Sequence, residues 1–201
     1  MIAVIDCNVG NLFSVKNALD YIGEQNIITS DPAELEKADA MILPGVGAFP
    51  NAMRELMKMG LDKSIKEQAA RKPLLGICLG MQMLFTKSYE FEETAGLSLI
   101  SGEIKKIPSD GLKIPHMGWN ALKYKNASPI LKDIPQSAYF YFVHSFMAFT
   151  EDQNISAYAE YGTAVTACVW DGGYIFGSQC HPEKSGEAGL LMLRNFSNIS
   201  K

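Results

Sequence analysis

Apolar residues in the first half of the chain come in short runs that alternate with amphipathic stretches. Ile2-Ala3-Val4-Ile5 is a strand-like run that stops at Asp6, and the turn-forming segment Cys7-Asn8-Val9-Gly10-Asn11 follows. From Leu12 to Ile22 the apolar positions Leu12, Val15, Ala18, Leu19 and Ile22 keep helical spacing, and Gly23 closes the pattern. Residues 26–28 predict a further strand, and the apolar run 40–43 is halted by Pro44-Gly45. Met53, Leu56, Met57, Leu61 and Ile65 predict a helical stretch. After Pro73, the run Leu74-Leu75-Gly76-Ile77-Cys78 predicts a strand leading straight into a helix over Leu79–Phe85. This β-α-β-α-β-α order predicts a parallel sheet with helices on both faces.

The second half has a different rhythm. Residues 99–107, 118–124, 139–143, 155–160, 164–170 and 174–178 predict short strands separated by turn residues, with a loop over 107–116. A last helix is expected from Ser185 to Ile199, with Ser185 as its N-cap and Glu187 in its first turn. No repeat, low-complexity segment or linker interrupts the 201 residues, a length that suits one domain.

Composition narrows the class. With 47% hydrophobic and 20% charged residues the chain is globular, neither disordered nor collagenous nor a coiled coil. The net charge of −4 gives no electrostatic case for nucleic acid or an anionic membrane. The weakly polar run Pro73–Phe85 is too short to span a bilayer. The N-terminal segment has neither a basic start nor a small-residue cleavage site, so no signal peptide is read there. Cys7, Cys78, Cys168 and Cys180 follow no disulfide framework, which predicts reduced thiols and the cytoplasm. The histidines are far apart and no Cys/His spacing suits zinc, so no metal and no cofactor are expected.

The sharpest chemical signal is Gly76-Ile77-Cys78-Leu79-Gly80, a nucleophile elbow with cysteine in the serine position. Small residues two before and two after let the chain turn tightly, and the following helix start favours a thiolate. The bland alternative is a buried cysteine at a strand end. A base is available in Gln179-Cys180-His181-Pro182-Glu183. Pro182 biases His181 toward extended backbone, where residues two apart share a side. Glu183 can then hold one imidazole nitrogen while the other faces the thiol. Taken alone, His-Pro-Glu also suits a surface histidine before a helix. The third segment, Pro44-Gly45-Val46-Gly47-Ala48-Phe49, allows unusual torsions and close approach of a ligand. It lacks the Gly-Lys-Ser/Thr of a phosphate loop, and a plain strand-to-helix turn is its alternative.

These three segments together resemble the class I, triad-type glutamine amidotransferases. Asp6–Asn11 with Ser14-Val15, Pro115-His116-Met117-Gly118-Trp119-Asn120 and Tyr141-Phe142-Val143-His144-Ser145 resemble one branch, the glutaminase subunits of imidazole glycerol phosphate synthase. The resemblance implies a three-layer, flavodoxin-like α/β fold with a mixed central sheet and extra antiparallel strands in the second half. It implies hydrolysis of glutamine to glutamate and ammonia by Cys78, His181 and Glu183, with an oxyanion held by the Leu79 amide and by one from Val46 or Gly47. By position it assigns Gln82, Glu90, His144 and Ser145 to substrate. It places Asn11, Trp119, Asn120 and Lys184 at the interface with a (β/α)₈-barrel cyclase subunit. In that heterodimer the partner would use the ammonia to make imidazole glycerol phosphate and AICAR in histidine biosynthesis.

Some of these positions have ordinary readings as well. Glu90 sits in a charge run that suits a solvated face, Trp119 suits a core aromatic, and Lys184 suits a surface lysine. Two residues depart from the family pattern: Cys7 and Cys180 stand where aromatics are common. Three rival functions remain at this point: an amidotransferase serving a different synthase, a flavodoxin-like cysteine hydrolase, and a non-catalytic binding subunit.

Overall fold

A computed structural model describes residues 1–108 and 111–199. The first half alternates as the pattern predicts: β1 (Ile2–Ile5), α1 (Leu12–Tyr21), β2 (Asn26–Thr29), α2 (Pro32–Lys37), β3 (Ala40–Gly45), α3 (Phe49–Lys58), α4 (Leu61–Ala69), β4 (Leu74–Cys78) and α5 (Leu79–Met83). The second half is strand-rich: β5 (Phe85–Ser88), β6 (Thr94–Ala95), β7 (Ile100–Lys106), β8 (His116–Ala121), β9 (Lys123–Tyr124), β10 (Tyr139–His144), β11 (Phe146–Phe149), β12 (Ile155–Glu160), β13 (Ala164–Trp170) and β14 (Ile175–Ser178), closed by α6 (Gly186–Ile199).

The main sheet runs β2-β1-β3-β4-β14-β13-β12-β9. Its first five strands are parallel, and the last three pair antiparallel. The sheet is therefore mixed. Strand side chains alternate between two separate cores. Ala3, Ile5, Met41, Leu43 and Leu74 pack with α3, α4 and α5 on one face. Ile2, Val4, Ile42, Leu75, Ile77 and Phe176 pack with α1 and α6 on the other. Burial on both faces explains why these strands read as continuous apolar runs rather than as alternation. Beside this frame lie a smaller sheet, β11-β7-β5-β6, and the antiparallel ribbon β10-β8. No helix among the described residues is long and apolar enough to cross a membrane.

Four local readings are revised. The helical stretch through Met53 and Ile65 is two helices, because Gly60 takes φ +69° and turns the chain between them. The helix after Cys78 stops at Met83, so Phe85 opens β5 instead. Strand 118–124 begins at His116 and breaks at Leu122. That shortens the expected loop 107–116, of which residues 109 and 110 lie outside the described residues. Ser185 does not cap α6 with its side chain. Pro182–Lys184 form a 3₁₀ turn, and the Ser185 hydroxyl donates to the His181 carbonyl (2.6 Å) while accepting from the Tyr141 amide (3.0 Å).

Candidate active site

Cys78 is the last residue of β4 and stands at φ +55°, ψ −111°. That left-handed torsion is strained for a residue with a side chain and persists because its surroundings hold it. The two flanking glycines provide the space. A Cβ on Gly76 would lie 2.7 Å from the Gly80 carbonyl oxygen, and one on Gly80 would lie 1.7 Å from the Leu43 carbonyl oxygen. Only glycines let α5 press directly on β3 and β4, so that the chain reverses within one residue of the sulfur.

His181 follows β14, the strand paired with β4. Its backbone is extended at φ −98°, ψ 94°, and its amide donates to the Tyr141 carbonyl at 2.9 Å. Nδ1 donates to Glu183 Oε1 at 2.8 Å, with both side chains only 2% exposed. Nε2 is buried and makes no hydrogen bond of ordinary geometry. Burial works against a charge on this ring, yet the nearby Cys78 sulfur and the Glu183 carboxylate outweigh it and push its pKa up to about 10. The geometry therefore provides an imidazole oriented by a carboxylate and faced by a sulfur.

Both groups open on a cleft of about 450 Å³ between the ends of β3 and β4 and the turn from β10 to β11. This volume suits a small metabolite. Cys78, His181, Leu79, Val46, Gly47, Gln82, Glu90, His144 and Ser145 all line it, while Glu183 lies behind His181. The structure thus brings together every position assigned from the sequence to catalysis, oxyanion and substrate.

Several of these residues carry structural duties as well. Glu90 Oε2 accepts from the Phe49 amide at 2.8 Å and so caps the start of α3. It is half-buried, unlike its exposed neighbours Phe91, Glu92 and Glu93, which excludes the solvated-face reading. His144 has no free ring nitrogen. Nδ1 donates to the Phe146 carbonyl (2.7 Å), and Nε2 therefore accepts from His116 Nδ1 (3.1 Å). Burial, the main influence, pushes the His144 pKa down to about 4, and burial lowers that of His116 as well. A substrate contact at His144 must then come from its backbone.

Sequence reasoning passed over Gln179. It is fully buried, and its Nε2 lies 3.8 Å from Cys78 Sγ. The available signal was its place two residues before His181, directly after the strand ending at Ser178.

Of the residues assigned to a partner, Trp119 and Lys184 flank one ring, that of Tyr141. Trp119 is 55% exposed, not a core aromatic, and meets Tyr141 edge to face at 6.0 Å. Lys184 Nζ sits 5.8 Å above the same Tyr141 ring, which is itself 6.3 Å from the His181 ring. Asn120 donates to the Glu160 carbonyl at 2.8 Å. Asn11 caps α1 by accepting from the Ser14 amide at 3.4 Å, and α1 packs against the turn holding Glu183 and Lys184.

All four cysteines are free thiols. Burial pushes the Cys7 pKa up to about 11. Cys180 packs in the core, its sulfur 3.0 Å from Ser178 Oγ. The Ser178 hydroxyl proton goes to the Cys180 carbonyl, so the thiol is the donor in that contact. Among the described residues, no group of three or more His, Cys, Asp or Glu is arranged to hold a metal ion.

Comparison with known proteins places this geometry. The solved structure of a glutamine amidotransferase superposes with a TM-score of 0.78 at 16% identity, covering 100% of this chain and 99% of that one. PurLQS from Thermotoga maritima gives 0.76 at 21% identity, covering 100% and 98%. At such identities these likenesses establish the fold. The imidazole glycerol phosphate synthase subunit HisH of Listeria monocytogenes serotype 4a is 47% identical over 202 residues, covering 100% of this chain and 96% of that protein. HisH of Caldanaerobacter subterraneus subsp. tengcongensis is 47% identical over 203 residues, covering 100% and 99%. The profile of the family "Glutamine amidotransferase class-I" matches residues 3–199. With its elbow, paired histidine and carboxylate, and mixed sheet, the chain belongs to the class-I glutamine amidotransferase family.

Proposed function

We propose that this chain is the glutaminase subunit of a cytoplasmic imidazole glycerol phosphate synthase, with residues 1–201 serving as one amidotransferase domain. The observation that carries the reaction is the placement of His181 between Glu183 and the strained Cys78 in a cleft sized for an amino acid. The subunit role is supported by the near-complete match to HisH proteins.

In the reaction, the Cys78 thiolate attacks the side-chain carbonyl carbon of glutamine. The C–S bond forms, and negative charge moves to the oxygen. The Leu79 amide at the start of α5 has no intrahelical partner and is one donor to that oxygen. The second comes from the Val46–Gly47 segment, where Gly47 at φ +103° has open space around it for a peptide rotation. His181 gives its Nε2 proton to the departing nitrogen, the C–N bond breaks, and ammonia leaves. Water then transfers a proton to Nε2 and attacks the thioester. The C–S bond breaks to release glutamate and restore the thiolate–imidazolium pair. Glu183 holds the ring in register throughout. Gln82, Glu90 and the His144–Ser145 backbone position the amino acid. Trp119, Asn120, Lys184 and the α1 end near Asn11 face the barrel subunit that consumes the ammonia.

The test is glutamate release from glutamine by the purified chain, with and without the cyclase subunit loaded with its nucleotide substrate. Strong stimulation is expected. Activity that ignores this partner reassigns the chain to another synthase, and no release in either state overturns the reading. Cys78→Ala is expected to abolish glutamine-dependent synthesis while leaving synthesis from added ammonia intact.

A further inference from the structure

The buried wall of the cleft holds a run of hydrogen bonds that the reaction steps do not use. It begins at the Phe146 carbonyl, which can only accept. His144 Nδ1 donates to it at 2.7 Å and Gln82 Nε2 at 3.1 Å. The first bond fixes the His144 tautomer, so Nε2 is an acceptor and His116 Nδ1 must donate to it. The second bond fixes the Gln82 amide. Its remaining Nε2 hydrogen points to Gln179 Oε1 at 2.9 Å. With its carbonyl end taken, Gln179 presents its NH₂ end to Cys78 Sγ at 3.8 Å.

Direction matters here because the two orientations of an amide have nearly the same shape. An N–H aimed at sulfur favours the thiolate, whereas a carbonyl oxygen in its place favours the thiol. Nothing at Gln179 alone selects between them; Gln82 does. The far end of the run is held by packing. The His116 ring is stacked between Phe142 (4.8 Å) and Tyr161 (4.2 Å), and His116 stands opposite His144 in the β8–β10 register. The next residue on β8, Met117, is 64% exposed on the proposed partner face.

We propose that Gln179 is a positioning residue for the nucleophile. Its amide N–H is aimed at the Cys78 sulfur by Gln82, whose orientation is set by the Phe146 carbonyl shared with the His144–His116 pair. The inference rests on the glutaminase reading only in taking Cys78 as the nucleophile.

The test follows the sulfur directly, through the rate of Cys78 alkylation by iodoacetamide across pH in the intact chain. Cys7, Cys168 and Cys180 are fully buried, so the reagent reports Cys78. Among the described residues, His181, Glu90 and His144 are the other titratable groups lining the same cleft, with Glu183 behind His181, and the Gln179 variant leaves all four unchanged. Gln179→Met keeps most of the volume, removes the donor and adds no charge beside the sulfur. It is expected to slow alkylation at neutral pH about tenfold, move the profile to higher pH, and lower kcat about tenfold with KM within about threefold. His116→Phe fills the stacked site without a donor and is expected to shift the profile the same way by a smaller amount. His116→Asn carries an N–H near the Nδ1 position and is expected to restore it. If Gln179→Met does not fold, the His116 pair decides. An unchanged alkylation profile in folded Gln179→Met, or in His116→Phe, overturns the proposal. A shifted profile in a chain that releases no glutamate overturns the glutaminase reading and leaves the positioning role standing.

Discussion

Glu183→Gln isolates the role of the carboxylate with little change in volume. Glu183 Oε1 lies 2.8 Å from His181 Nδ1, in side chains 2% exposed, so solvent screens the pair weakly. Two unit charges about 4 Å apart at an effective dielectric constant of about 20 interact by about 4 kcal/mol. Glutamine recovers part of this by accepting the same hydrogen bond. Its NH₂ group, however, lands where Glu183 Oε2 already has no hydrogen-bond partner, adding two unsatisfied donors. The net loss is about 3–4 kcal/mol, which corresponds to a fall in kcat of roughly 10²–10³. The pH profile gives a second reading. The wild-type His181 pKa is raised to about 10, so kcat/KM is expected to hold until an alkaline limb near that value. Stability from this charge is complete below the ordinary imidazole value and is lost as pH rises through about 10. In the variant the limb should move down by about two to three pH units. Glutamate release in the complex with the synthase subunit, measured from neutral to alkaline pH, checks both. A kcat within about threefold of wild type with an unmoved limb would refute the reasoning.

Three further outcomes follow from the same geometry. Gly80→Ala puts a Cβ 1.7 Å from the Leu43 carbonyl oxygen, forcing α5 off β3. It should cost about 3 kcal/mol or more and lower Tm by roughly 6–12 °C in calorimetry, with glutaminase activity lost. Lys72 Nζ donates to the carbonyls of Leu35, Glu36 and Ala38 at 3.0, 2.6 and 2.7 Å, closing the end of α2. Lys72→Met should cost about 1–2 kcal/mol in urea unfolding while leaving kcat unchanged. His144 is held neutral, with its pKa pushed down to about 4, whereas the unfolded chain protonates near 6.5. Stability from the neutral His116–His144 pair is therefore complete above about 6.5 and declines as pH falls toward 4. His144→Asn should flatten that part of the urea-midpoint profile.

The local signals proved most legible where one residue type is the only physical solution. Gly76 and Gly80 mark the elbow because any Cβ there collides with backbone, a constraint that leaves its trace at fixed offsets from Cys78. His181 and Glu183 are two apart, as the sequence suggested, but they meet because the 3₁₀ turn Pro182–Lys184 follows the extended His181, not because the segment runs on extended. The apolar runs of β1, β3 and β4 announced a sheet buried on both faces. Where local cues compete, reading along the chain was weaker. The strands β5, β6 and β11 are short and mix buried with exposed positions without a clean alternation, and α2 is under two turns. Ser185 carries a strong N-cap signature, yet its hydroxyl donates to the His181 carbonyl four residues back and accepts from the Tyr141 amide, a partner available only once β10 lies beside the segment after β14.

The chain's residue types and spacing were enough to specify its chemistry: a cysteine on an elbow, a histidine with its carboxylate, and glycines beside them. They could not specify which groups would meet from afar. Glu90 became a half-buried cap of α3, and Trp119 went to the surface. Gln179, 101 residues from Cys78, acquired its direction from Gln82 and from a carbonyl 64 residues beyond Gln82. Contacts of that range depend on how strands order themselves in the sheet. That order is settled by the burial of whole faces, which no short stretch of sequence records.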